Sequence, residues 1–183
     1  MTIEQQHRAI EAALDEYRNR LDCIPDVQFD LTPPDGGWSS AEVYSHILQA
    51  TIGASIALEK CTMGSCVPTN KGRSLIGLFV LALGRFPGRV KAPAAVMERN
   101  PVKKLSKEEA RNLIVKCRKR IDAVAKLVFG SRSQNRVKHP RMGMLNAREW
   151  LKFILIHLKH HLKQLDRIEK KFPKDDLSNS THP

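Results

Sequence analysis

Apolar residues recur at helical spacing in four long stretches of this chain, and each stretch opens with the same polar signature. Ile3, Ile10, Leu14, Tyr17 and Leu21 form one stripe, closed by Pro25. Val43, Ile47, Ala50, Ala54, Leu58 and Cys61 form a second, followed by Gly64. Ala110, Ile114, Cys117, Ile121, Val124 and Val128 alternate steps of four and three up to Gly130, and a last stretch runs from about Asn146 to Lys171, ahead of Pro173. Such steps place side chains on one face of a helix with 3.6 residues per turn. Each stretch is preceded by a Ser, Thr or Asn with Gln or Glu three residues later: Thr2 with Gln5, Ser39 with Glu42, Ser106 with Glu109, Asn146 with Glu149. A capping box of this kind satisfies backbone N–H groups that the first helical turn leaves unpaired. Four helices of about twenty residues or more, each with one apolar stripe, must bury those stripes against one another. The pattern predicts an all-α four-helix bundle.

Residues 62–105 interrupt the pattern with many of the glycines and prolines, and are expected to form a long crossover between the second and third long helices, with a short helix around Leu75 to Leu83. The apolar run SLIGLFVLALG from Ser74 is too short to cross a bilayer. It reads as a buried crossover segment in preference to one that dips into a membrane surface. The tail, residues 173–183, is polar and expected to fray, which puts the folded domain at residues 1–172.

Composition narrows the function classes. A chain of 183 residues with 42% hydrophobic and 27% charged residues is expected to form one soluble domain. Aromatic residues at 5% argue against a base-stacking surface for single strands. The balance of 31 basic and 19 acidic residues gives +12 and favours anionic partners. The stretch KCRKR from Lys116 and the lysines at 159, 163, 170 and 171 supply basic faces, but no recognition motif accompanies them, so nucleic-acid binding is disfavoured. Cys23, Cys61, Cys66 and Cys117 form no CxxC pair and follow no signal peptide, so reduced thiols and a cytoplasmic protein are expected.

The candidate chemistry lies in HLKHHLKQ, residues 157–164. At about 100° per residue, Trp150, Leu151, Ile154, Leu155, Leu158, Leu162, Leu165 and Ile168 define an apolar arc. His157 and His161 fall just inside its edge and Gln164 on the same side, while His160 projects outside it, towards lysines. A spacing of four lets two imidazoles of one helix reach a single metal ion; hydrogen bonds in a core would satisfy them equally well. A third ligand must come from another helix, and His46 is the candidate, with Ala50, Gly53 and Ala57 beside it leaving room for an ion. His157 is followed by Leu158 and not by the Glu of a metalloprotease motif. No Asp or Glu in the inferred core offers itself as a general base. Trp38 and Trp150 read as packing residues near helix starts. His139 either lines a pocket mouth or is a plain loop histidine, and Gln164 either orients a ligand or is a buried amide.

Two segments carry a family resemblance. GGWSSAEVYSHILQAT resembles the W-S-x-x-E-x-x-x-H opening of the second helix in DinB/YfiT-like proteins, and KHPRMGMLNAREWLKFILIHLKHHLKQLDRIEK resembles their last helix with its HP-x-x-G lead-in and H-x-x-x-H-x-x-Q. The resemblance covers the helical frame of nearly the whole chain, but not the crossover closely. It implies a four-helix bundle, often dimeric, that binds a divalent metal such as nickel or zinc through His46, His157 and His161. It further implies metal-dependent chemistry on a small molecule: transfer using a low-molecular-weight thiol, or hydrolysis. A non-catalytic bundle acting as a binding or stress-response protein is the alternative.

Overall fold

A computed structural model of the protein describes residues 1–87 and 102–172. The expected frayed tail, and part of the crossover, lie outside the described residues. The elements are α1 (Ile3–Cys23), a single turn α2 (Asp26–Phe29), α3 (Ser40–Met63), α4 (Leu75–Leu83), α5 (Lys107–Ala125), a 3-10 turn (Lys126–Gly130), β1 (Arg136–His139), β2 (Gly143–Asn146) and α6 (Ala147–Glu169).

All four capping boxes form, with both reciprocal bonds at Thr2, Ser39, Ser106 and Asn146. Gly64, at φ 68°, ends α3 in the left-handed region that a side chain would resist. The four long helices make the bundle: α1 and α3 each pack on both α5 and α6. Every stripe residue of α1 and α5 predicted from the sequence is buried; in α3 only Ala50 is half-buried. The stripe that continues to Val128 does so on a tightened 3-10 turn, because α5 itself stops at Ala125. The last helix stops at Glu169, two residues before Lys171.

Two tyrosines lock the centre. The Tyr17 and Tyr44 rings meet edge to face at 5.4 Å, Tyr44 donates its hydroxyl to the Tyr17 carbonyl at 2.7 Å, and Tyr17 donates to the Leu158 carbonyl at 2.9 Å. Burial raises both phenols well above their usual range, so each remains a neutral donor. The second bond fixes the turn of α6 that carries the histidines.

The lead-in to α6, to which the sequence pattern assigns no element, forms regular structure. It is a β-hairpin in which Arg136 pairs with Asn146, Val137 with Leu145, Lys138 with Met144 and His139 with Gly143. Neither strand alternates in sequence: Arg136–His139 holds one apolar residue, Val137, and Gly143–Asn146 holds two adjacent ones, Met144 and Leu145. The crossover adds an edge to this hairpin, through Ser74 N–H to the Met142 carbonyl at 2.9 Å and Met144 N–H to the Gly72 carbonyl at 3.0 Å. Gly143 sits at φ +80°, and a Cβ there would lie 2.5 Å from the Ser74 nitrogen. At Gly77 a Cβ would meet the Met142 carbonyl oxygen at 2.3 Å, so α4 rests directly on the hairpin turn.

The short helix falls on Leu75–Leu83 as expected, but the segment is not buried. Only Gly77, Val80 and Leu81 face the protein, whereas Leu75, Ile76, Leu78, Phe79 and Leu83 are exposed. A helix apolar on every side cannot bury all of itself against one flat neighbour, and the sequence holds no signal for which side remains uncovered.

Candidate metal centre

Gly36 and Gly37, at φ 80° and 98°, turn the chain sharply into the Ser39 cap of α3. His46 follows two turns into that helix, half-buried, while His157 and His161 stand one turn apart on α6. The helices run antiparallel, as Cys61 near the end of α3 reaches the Leu145 carbonyl just before α6 begins. One ring nitrogen from each of His46, His157 and His161 lies within 4.8 Å of the others. The structure thus brings together the three residues singled out from helical spacing.

The second ring nitrogens decide how the first ones point. His161 Nδ1 is 2.8 Å from Gln164 Oε1; an amide oxygen only accepts, so Nδ1 carries the proton and Nε2 the lone pair. That Nε2 faces the Nε2 of His157 at 3.0 Å. Two facing imidazole nitrogens either share a proton or bind one ion. That separation is short enough for both nitrogens to reach one ion at a metal–nitrogen distance of about 2.1 Å. The residues therefore fit a divalent ion.

Burial lowers all three histidines below the ordinary imidazole range: His46, His157 strongly, and His161 to about 3, with the neighbouring imidazoles adding to the effect. Neutral imidazoles keep their lone pairs for a metal. Among the described residues no carboxylate or thiol joins the cluster. Burial also pushes the Cys61 and Cys117 thiols up to about 12, which leaves both protonated. A second group, His7, Glu11 and Asp122, also brings three donor atoms together, but His7 Nε2 is already engaged by Asp122 at 2.8 Å.

Other histidines are placed differently. His160 is not part of the converging group, yet it is not simply turned to solvent among lysines: it is half-buried, its ring 5.0 Å from that of Phe86. His139 is no plain loop residue. It ends β1, and its Nδ1 accepts the backbone N–H groups of Arg141 at 3.2 Å and Met142 at 3.1 Å, closing the hairpin turn. Its ring packs on Trp150 and Phe153.

Aromatic rings surround the histidines. Trp38 lies 5.0 Å from the His46 ring and stacks along His161 at 6.5 Å, so its packing is against the candidate ligands themselves. Trp150 is buried and packs as expected. Phe153 stacks on His157 at 5.2 Å and Phe86 meets His157 edge-on at 5.9 Å. Sequence reasoning missed both. Phe153 precedes His157 by one helical turn and was open to the same spacing argument; Phe86 arrives from the crossover, where no periodicity announces it.

Solved structures share this fold. The chain is similar to TT2238, a four-helix bundle protein, with a TM-score of 0.59 at 18% identity over 91% of this chain and 99% of that one. It is similar to YfiT from Bacillus subtilis, described as "a probable metal-dependent hydrolase with an unusual four-helix bundle topology", with a TM-score of 0.62 at 15% identity over 92% and 86% of the two chains. A mycothiol-dependent maleylpyruvate isomerase matches with a TM-score of 0.57 at 14% identity, over 86% of this chain and 58% of its own. No curated protein matches by sequence. The model of the DinB superfamily matches residues 9–165, and on that match, with the fold it accompanies, the chain belongs to the DinB superfamily.

Proposed function

We propose that this protein is a divalent-metal-dependent enzyme acting on a small molecule, with His46, His157 and His161 as metal ligands and a low-molecular-weight thiol as the nucleophile. The observation that carries the proposal is the convergence of three imidazole nitrogens within 4.8 Å, held neutral by burial. A bound divalent ion such as nickel or zinc supplies positive charge that lowers the pKa of a thiol or water beside it. Gln164 holds the His161 tautomer so that Nε2 points into the site. Trp38, Phe86 and Phe153 give the site apolar walls that limit water around it. Among the described residues no carboxylate reaches the three nitrogens to accept a proton from water. A thiol needs less help, because its own pKa of about 8.5 is already near neutrality. The thiol-dependent isomerase among the fold relatives supports the same choice.

The test is direct. Protein purified without an affinity tag should contain about one divalent ion per chain by elemental analysis. Loaded protein incubated with a panel of small thiols and electrophilic acceptors should give conjugates that disappear on chelation. Loaded protein that forms no conjugate but hydrolyses ester or amide substrates would replace transfer by hydrolysis, and no turnover of either kind would leave a binding protein.

A further inference from the structure

The apolar helix α4 is fixed to the bundle, yet among the described residues none covers its outer face. Its first turn is clamped: Ser74 Oγ donates to the Arg141 carbonyl at 2.7 Å, Ser74 N–H to the Met142 carbonyl at 2.9 Å, and Gly77 lies flat against the hairpin. Its end is set by Gly84, in the left-handed region at φ 66°. Immediately beyond, Phe86 turns inward onto Phe153 and His160. Between these anchors Leu75 is 77% exposed, Phe79 64% and Leu83 54%, with Ile76 and Leu78 exposed alongside. Scattered exposed apolar residues are ordinary; five on one short helix form a patch of the kind that marks an interaction surface.

The charges around the patch select its partner. From Lys60 to Met97 the sequence contains no Asp or Glu, while Lys71, Arg73 and Arg85 flank the helix. Arg73 is paired with Glu149, but Lys152 and Lys159 line a cleft with Gly84 at the other end of α4. A second copy of the chain, docked α4 to α4 about a two-fold axis, would set one basic rim against the same basic rim. Anionic lipid headgroups complement that rim, and the acyl boundary beneath them accepts the apolar face. A helix of nine residues is about 14 Å long, far short of a span but sufficient to lie in the interface. We propose that α4 is a membrane-surface anchor that inserts Leu75, Phe79 and Leu83 into an anionic bilayer, with the surrounding lysines and arginines on the headgroups.

Sedimentation of the full chain with vesicles tests this, using phosphatidylcholine alone and phosphatidylcholine with about 30% phosphatidylserine. Binding should appear on the anionic vesicles, be several-fold weaker on neutral ones, and weaken as salt rises to about 0.5 M. The double variant Phe79→Gln, Leu83→Gln alters only exposed positions and should lose binding at least tenfold while keeping its helical circular dichroism and metal content. Arg85→Glu should weaken binding without changing the fold. No sedimentation with anionic vesicles, or binding unaffected by the double variant, overturns the proposal. A dimer in solution that the double variant converts to monomer, without vesicle binding by either protein, assigns the patch to a second copy and likewise overturns it.

Discussion

Gln164 holds His161 from behind: its Oε1 lies 2.8 Å from Nδ1, while the opposite ring nitrogen, Nε2, faces His157 Nε2 at 3.0 Å. One hydrogen bond thus fixes both the tautomer and the ring orientation of the most buried histidine in the cluster. Replacing Gln164 with Leu frees Nδ1 and permits the other tautomer. The expected result is a divalent-metal affinity lower by about 10–100-fold, with the fold retained. Competition titration against a chromophoric chelator measures it; an unchanged affinity would reduce Gln164 to a buried amide.

His160 and His161 are adjacent in sequence but not in role. We expect His46→Ala, His157→Ala and His161→Ala each to lower metal affinity by at least about 100-fold, and His160→Ala to leave it within a few-fold of the parent. Elemental analysis after dialysis distinguishes them. A His160→Ala protein without metal would show that α6 is rotated relative to the structure.

The hairpin turn gives a pH dependence. Burial, with a contribution from Arg141, lowers the His139 pKa to about 4 in the folded protein, against about 6.5 when unfolded. Between those values the unfolded state binds more protons. The stability due to the neutral ring is therefore fully present above about pH 6.5 and is lost as pH falls towards 4, on the order of 3 kcal/mol in all. His139→Asn retains an acceptor for the turn but does not titrate. Urea midpoints should fall less between pH 7 and pH 5 for the variant than for the parent; parallel curves would contradict the assignment.

Gly143 combines a left-handed backbone, at φ +80°, with a Cβ position 2.5 Å from the Ser74 nitrogen. Gly143→Ala must strain the hairpin and push the crossover away from it, at a cost of about 2–4 kcal/mol. Chemical denaturation should show it, and Gly53→Ala, in the interior of α3 where a Cβ would meet nothing within 4 Å, is the contrasting control, expected to stabilise by up to about 1 kcal/mol.

Much of this molecule was legible in its sequence, for local reasons. Capping boxes act over three residues and apolar stripes over one turn, so the four long helices and most of their buried faces follow from the chain alone. The spacing of His157 and His161 and the inward placement of His46 are legible on the same grounds. What depends on chain segments meeting across the fold was not. The hairpin exists because Gly72 and Ser74 from the crossover pair with it and Gly143 lets them approach. Phe86 covers His160 from that same crossover, and α4, apolar on every side, had its exposed face chosen by the hairpin and the α6 helix that it packs on. Periodicity reports which side of an element is apolar; which apolar side finds a partner is decided by tertiary contacts, because burial depends on what packs opposite.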